Sequence, residues 1–350
     1  MTPDLADYTT LGLGGPARSF VSAATEADLI ESVTAADAAA EPVLLIGGGS
    51  NLVISDAGFP GPVIHVNTRG IGYADAGDGV VDVTVAAGED WDDVVAASVA
   101  EGLAGLETLS GIPGRAGATP IQNVGAYGRE VAEVITRVRV QDRQDGRILV
   151  LGNKQCSFAY RSSLFKASGA RYVVLDVTFR LARQALSLPV KYAELAAELG
   201  LALGERAGVG EARSAVLKIR ARKGMVLNPG DPDTRSAGSF FTNPIITADE
   251  FAAVEAAAAA RAAGPVPHYE AGSGLVKVPA AWLIERAGFA KGYGAPSPAQ
   301  VSSKHTLALV NTGTATTADL LALAREIVSG VRSAYGVTLT PEPILIGVSL

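Results

Sequence analysis

The sequence predicts an α+β protein of more than one domain. Three observations carry this. Valine-rich runs of strand character alternate with helices that open on capping residues, and the pattern changes character near residues 205–210. The chain also has 350 residues, more than one hydrophobic core commonly organises.

In order along the first half, VLLI (43–46), VVDVTVAAG (80–88), VITRVRVQD (134–142), RILVL (147–151) and YVVLDVTFRL (172–181) read as strands. Between them TEADLIESVTAADAAA (25–40) opens on a Thr cap followed by acids, and WDDVVAASVAEG (91–102) ends on glycine, as helices do. From Val209 the pattern becomes helical, with Ala212, Ala215, Val216 and Ile219 on one face. Further helices are expected at 247–263, 280–287 and 316–335, with short strands at 239–242, 274–278 and 306–310. A closing strand over 337–348 could return to either half.

Composition excludes several classes. The formal net charge is −7, from 29 Lys and Arg against 36 Asp and Glu, which argues against a chain built to bind nucleic acid. Cys156 is the only cysteine, so neither an internal disulfide nor a thiolate metal cluster can form; a reducing cytoplasm fits this. His65, His268 and His305 lie far apart and give no metal-ligand spacing, so no metal is expected. No secretory pattern opens the sequence and no apolar run reaches the length of a membrane span.

Some glycine patterns mislead. GLGGPA (12–17) fits a loose dinucleotide fingerprint but follows no convincing strand, and the sequence contains neither a nucleotide-triphosphate loop nor a G-x-S-x-G elbow. GGGSN (47–51) is more informative because it directly follows VLLI, where successive amides can form a concave nest for phosphate oxygens; a plain tight turn is the alternative. SGIPGRAGATPIQNVGAYG (110–128) makes a poor helix and a poor strand interior, yet it can wrap a planar ligand with backbone hydrogen bonds. Together the two loops suggest a cofactor with a pyrophosphate and a ring system.

Polar motifs remain. CSFAYRSSLFK (156–166) sets Arg161 beside Tyr160 and two serines, and an arginine fork can hold a carboxylate, though an ordinary ion pair explains it equally. KIRARK (218–223) suits phosphates, or simply a helix C-terminus. TPEPILIG (340–347) puts Glu342 between two prolines in an apolar stretch, where a carboxylate must be hydrogen-bonded, paired or functional. AGSFFTNP (237–244) holds Ser239 between Gly238 and two phenylalanines, either as a turn into a core strand or as a presented hydroxyl.

The order of TTLGLGGPA, IGGGSN, ETLSGIPGRAGATPIQNVGAYG, FAYRSSLFK, AGSFFTNP, AAWLIERAG and PEPILIG resembles the UDP-N-acetylenolpyruvoylglucosamine reductase family of peptidoglycan precursor synthesis, over nearly the whole chain. KYAEL (191–195) resembles the subclass with a tyrosine-bearing loop. The resemblance implies a two-lobed FAD-binding domain of the vanillyl-alcohol oxidase type, lobes 1–70 and 71–208, and an α+β substrate domain over 209–336. It implies non-covalent FAD, held by Gly47, Gly48, Gly49, Ser50 and Asn51, by Ile112, Pro113, Gly114, Gly117, Ala118 and Thr119, and by Gly125, Ala126, Tyr127 and Gly128. Arg161, Ser239 and Glu342 match the catalytic trio, while Tyr160, Tyr192, Lys223, Asn243 and His305 match substrate positions.

The implied reaction has NADPH as reductant and an enolpyruvyl nucleotide sugar as substrate. Hydride adds to the methylene carbon, charge develops toward the substrate carboxylate, and Arg161 with a protonated Glu342 stabilises it while Ser239 supplies the proton. A cytoplasmic enzyme, monomeric or weakly oligomeric and without nucleic-acid or membrane partners, is expected. Two alternatives stay open: another flavin oxidoreductase of the same fold, and a non-catalytic nucleotide-sugar binder.

Overall fold

The computed structural model describes residues 3–350. In chain order the strands are β1 (Ala17–Ala23), β2 (Leu44–Ile46), β3 (Leu52–Ile54), β4 (Phe59–Val66), β5 (Ile71–Gly77), β6 (Val80–Ala86), β7 (Leu103–Ala104), β8 (Gly125–Ala126), β9 (Arg129–Glu130), β10 (Ile135–Asp142), β11 (Ile148–Gly152), β12 (Tyr172–Arg183), β13 (Ile245–Thr247), β14 (Tyr269–Glu270), β15 (Leu275–Lys277), β16 (Ala299–Val301), β17 (Leu309–Asn311) and β18 (Ile344–Ile346). The helices are α1 (Glu26–Ala38), α2 (Trp91–Ala100), α3 (Leu164–Ala167), α4 (Ala193–Leu199), α5 (Val209–Arg222), α6 (Ala248–Ala260), α7 (Ala280–Arg286) and α8 (Thr317–Tyr335).

These elements form two compact units, one of residues 18–48 and 60–222, the other of 3–17, 49–59 and 223–350. The first unit is built on the sheet β11-β10-β12-β6-β5. Its strands pair antiparallel, and β6 alternates buried and half-buried residues, as a half-solvated strand should. α2 covers the buried face through Trp91, whose ring lies 5.5 Å from that of Phe179. A smaller sheet, β1-β4-β2, packs with α1 over Leu29, Val33 and Ile64. The Thr25 side chain and Asp28 close a reciprocal cap at the start of α1.

The second unit gathers α6, α7, α8 and short strands around one apolar cluster that includes Phe240, Phe241, Leu283 and Ile327. α8 is capped by Thr316, and the carboxylate of Asp56 accepts the N–H groups of Thr317 and Ala318 at 2.7 and 3.1 Å. β18 runs parallel to β3, pairing Ile344 with Leu52 and Ile346 with Ile54. That pairing makes the unit discontinuous in sequence.

The units are drawn differently from the three expected segments. α5 belongs with the first unit because Ala215, Val216 and Ile219 pack on Val190, Leu195 and Ala196. Residues 49–59, expected in the first lobe, group with the second unit through the β3–β18 pairing. Residues 239–242 form no strand. Their main chain is shared between two distant segments, as described below, and no continuous ladder results. The expected strand at 337–348 shrinks to Ile344–Ile346, since Pro341 and Pro343 offer no N–H to a ladder.

Candidate functional site

In the first unit, β2 delivers Gly47 and Gly48 at the end of a buried parallel pair, with Ile46 opposite His65 on β4. A Cβ on Gly48 would lie 2.8 Å from the Cα of Gly114, and one on Gly47 would lie 3.1 Å from Cγ of Arg115. Backbone therefore meets backbone where two glycine loops converge. Burial, then the nearby Arg115 and Arg69, hold the His65 imidazole below its usual pKa, and both arginines are in turn paired with Asp90.

The loop after residue 109 is fixed to the turn before α2. Ala116 and Gly117 donate to the carbonyls of Glu89 and Ala87, both at 2.9 Å, and Trp91 donates its main-chain N–H to Gly114 and its indole N–H to Leu109, both at 3.1 Å. Gly117 needs to be glycine, because its Cβ would fall 2.5 Å from that of Ala87. Asp92 accepts the Gly111 N–H at 2.6 Å and holds Arg213 of α5 in a two-point pair at 2.6 and 2.9 Å. Burial raises the pKa of Asp92, but the Arg213 fork and the Gly111 amide outweigh it and keep the carboxyl below its usual range.

The next stretch forms a two-residue hairpin. β8 pairs with β9, and Tyr127 (φ +52°) and Gly128 (φ +79°) turn the chain, both left-handed as a primed hairpin turn demands. The Tyr127 ring meets Tyr192 edge-on at 5.4 Å, and its hydroxyl is hydrogen-bonded to Arg220 of α5. Burial pushes the Tyr127 phenol up to about 12, against the opposing effect of Arg220. Burial likewise lowers the Arg220 guanidinium pKa. Sequence reading saw Arg220 only as one charge of KIRARK; no local signal marks its partner ninety-odd residues upstream.

Arg161 lies on a second tight turn. Ala159 and Ser162 exchange main-chain hydrogen bonds at 3.0 Å each, leaving Tyr160 and Arg161 at the tip with Arg161 at φ +51°. Its Nη2 donates to the Gly125 carbonyl at 3.1 Å, and the guanidinium lies 5.8 Å from the Tyr160 ring centroid. Tyr160, Arg161 and the hairpin of Gly125, Ala126, Tyr127 and Gly128 are thus one neighbourhood, joined at Tyr127 by Tyr192.

In the second unit, Gly49 (φ +59°) passes so close to Tyr8 that a Cβ would sit 1.8 Å from its carbonyl oxygen. Asn51 donates from its side chain to the Glu342 carbonyl at 3.3 Å, and its own carbonyl accepts the Ile344 N–H at 2.9 Å. Ser239 is half-buried between Gly238 (φ +73°) and Phe240. Phe240 donates to the Leu307 carbonyl at 2.7 Å and accepts the Glu342 N–H at 2.9 Å, while Thr242 donates to Thr340 at 3.1 Å. Phe240 and Phe241 are fully buried, their rings 5.1 Å apart, and each anchors the segment by about 1.5–3 kcal/mol of burial.

The loop of His305 joins this group through Leu307. It is secured in turn by Asp233, which accepts both the main-chain N–H and the hydroxyl of Ser303, at 2.8 and 2.6 Å. Asn243 accepts the Ala280 N–H at 2.9 Å at the start of α7. Lys223 is the first residue of this unit's long final segment. One pair escaped sequence reading: Tyr269, 60% exposed, has the Lys277 ammonium 5.8 Å from its ring centroid, a surface cation–π contact.

The residues present fit FAD. The glycines at 47, 48 and 117 let the two loops close on one another where a Cβ would clash, and Arg115, which pairs with Asp90 through Nη1 and keeps a buried Nε with no hydrogen-bond partner, lies beside Gly47, where an anionic pyrophosphate suits a cation. Neither glycine loop carries a histidine or cysteine that could tether a flavin covalently.

Comparison with known proteins covers the same segments. Residues 17–152 match the model of an FAD binding domain, and residues 231–346 match that of the UDP-N-acetylenolpyruvoylglucosamine reductase C-terminal domain. The UDP-N-acetylenolpyruvoylglucosamine reductase of Thermobifida fusca is 56% identical over 99% of this chain and 97% of its own, and that of Streptomyces coelicolor is 55% identical over 99% and 90%. The crystal structure of the Thermus caldophilus enzyme of that name superposes over 99% of this chain and 98% of its own, with a TM-score of 0.65 at 26% identity. The α+β architecture is thus an FAD-binding domain of the vanillyl-alcohol oxidase type followed by the reductase C-terminal domain. With more than half of the residues identical along essentially the full length, the chain belongs to the UDP-N-acetylenolpyruvoylglucosamine reductase family.

Proposed function

We propose that this chain reduces UDP-N-acetylglucosamine enolpyruvate to UDP-N-acetylmuramate, with non-covalent FAD as cofactor and NADPH as reductant. It does so in the cytoplasm, as a monomer or weak oligomer, during peptidoglycan precursor synthesis. Family membership supports the reaction, and among the described residues no helix is long and apolar enough to cross a membrane. The observation that carries the assignment of residues is the main chain of Phe240, which sets Ser239 and Glu342 in one register.

When bound, FAD supplies the hydride that adds to the methylene carbon of the enolpyruvyl group. Gly47, Gly48, Gly49, Ser50 and Asn51 would hold its pyrophosphate, and the loops 112–119 and 125–128 its ring system. Negative charge then develops on the carbon beside the substrate carboxylate. Arg161 meets that charge with a planar cationic fork, and Glu342 donates a hydrogen bond to it in its acid form. Ser239 Oγ passes its proton to the carbon, a task for which a hydroxyl suffices because the acceptor is strongly basic and held close. Tyr160, Tyr192, Lys223, Asn243 and His305 bind the nucleotide sugar. Tyr192 is exposed at the start of α4, which suits a residue that meets substrate.

The purified protein should be yellow, release free FAD on acid denaturation, lose its visible absorbance with NADPH and regain it with the enolpyruvyl substrate. A colourless protein that takes up no FAD but binds the nucleotide sugar would establish the non-catalytic alternative instead.

A further inference from the structure

Asn123 is 1% exposed and lies in the left-handed region at φ +47°, a conformation asparagine tolerates better than most side chains. Every polar position of its carboxamide is engaged. Nδ2 donates to Glu130 Oε2 at 2.6 Å and to the Ala159 carbonyl at 3.1 Å, and Oδ1 accepts the Ala132 N–H at 3.1 Å. The Ala159 oxygen is the one that also accepts the Ser162 N–H and closes the turn of Tyr160 and Arg161. Asn123 therefore grips, from one side, the Ala159–Tyr160 peptide plane that opens the turn carrying Arg161. On the other, Ser163 donates its hydroxyl to the Ile121 carbonyl, and Arg161 itself reaches Gly125.

We propose that Asn123 is a positioning residue for Arg161: it locks the Arg161 turn to the 119–128 loop so that the guanidinium is aimed before substrate arrives. The inference rests on the reaction proposed above and deepens it. The chemistry requires a carboxamide. An aspartate would offer no hydrogen to Ala159 and would set a second carboxylate against Glu130, while serine or alanine would leave the Ala132 N–H and the Ala159 carbonyl each short of a partly buried hydrogen bond. Arg161 acts on charge that appears only as the reaction proceeds, so its aim matters to the rate of that step.

The test uses the full chain loaded with FAD. In Asn123→Asp, reduction of the cofactor by NADPH should stay within about twofold of wild type, whereas its reoxidation by the enolpyruvyl substrate should slow by about 100-fold. Asn123→Asp combined with Glu130→Gln separates aim from stability, because the new carboxamide at position 130 can again pair with residue 123, this time as the donor, but Ala159 still lacks its own donor. The double variant should recover most of the lost Tm while reoxidation stays slow. Unchanged reoxidation in Asn123→Asp, or a rate that recovers in step with Tm, overturns the inference and leaves Asn123 with a structural role alone. A wild-type protein that NADPH reduces but the substrate does not reoxidise overturns the proposed reaction, and this inference with it.

Discussion

The Glu342 main-chain N–H donates to the Phe240 carbonyl at 2.9 Å, and Phe240 is the residue that follows Ser239. Two functional candidates 103 positions apart are thereby tied through Phe240, whose side chain is fully buried. In the proposed reaction the proton donor has to be placed in advance, and this main-chain clamp does so without engaging the side chain of either candidate.

Replacing Ser239 by alanine should leave this clamp intact, since only the hydroxyl is removed. Stopped-flow measurement should find NADPH still bleaching the flavin at the wild-type rate while reoxidation by substrate falls by about 10²–10⁴-fold, the usual worth of a positioned proton donor. Equal reoxidation in the two proteins would remove Ser239 from the mechanism.

Gly48→Ala tests the cofactor loop. Its methyl would press on the Gly114 backbone, which cannot yield as a side chain can. Overpacking of this kind costs about 1–3 kcal/mol, so FAD should bind some ten- to hundredfold more weakly in fluorescence titration. Wild-type affinity would mean that the two loops are not jointly part of the cofactor site.

The glycine loops were legible because runs of glycine stand out locally, although what closes on them does not: Gly48 faces the backbone of Gly114 and Gly117 faces Ala87. Helices were legible for a similar reason. Thr25 and Thr316 cap α1 and α8, and the spacing of Ala212, Ala215, Val216 and Ile219 correctly placed one buried face on α5. The segment at 239–242 was misread as a strand because two phenylalanines carry strand character, while its hydrogen bonds go to residues 307 and 340–342, which no local pattern can anticipate. Asn123, Arg220 and the assignment of α5 to the first unit were hidden likewise, each decided by a partner far along the chain.

Asp92 should prove to be a strut between the loop after residue 109 and α5. Asp92→Asn loses the charge that holds Arg213, and the variant should be less stable by about 1 kcal/mol at neutral pH, a modest figure because the pair is partly exposed. A carboxyl whose folded pKa is lowered stabilises the fold above its ordinary value of 3.8 and ceases to do so as pH falls through the lowered one. Denaturation curves of wild type and variant should therefore converge in acid; a gap that persists there would assign the effect to shape rather than charge.

Tyr127→Phe should be read at the other end of the pH scale. In the folded protein the phenol is pushed up to about 12, from an ordinary 10.0, so unfolded chains ionise first. The stability contributed by the neutral, Arg220-bonded phenol is complete below pH 10.0 and declines as pH rises toward about 12. Urea titrations should show wild type ahead of the variant near neutrality and the advantage shrinking through that window. A constant difference would mean that Tyr127 ionises alike in both states.

The pairing of β18 with β3 has a consequence for the order of assembly. The unit of residues 18–48 and 60–222 is complete in sequence before residue 223 is made, and it can fold while synthesis continues. The other unit has to keep Leu52–Ile54 waiting until Ile344–Ile346 leaves the ribosome, and Glu342 arrives with that last strand. A nascent chain can thus hold the folded unit that carries Gly48, Gly114 and Gly117 before Glu342 has been made, so a ribosome stalled near the end yields a protein without one of its catalytic candidates.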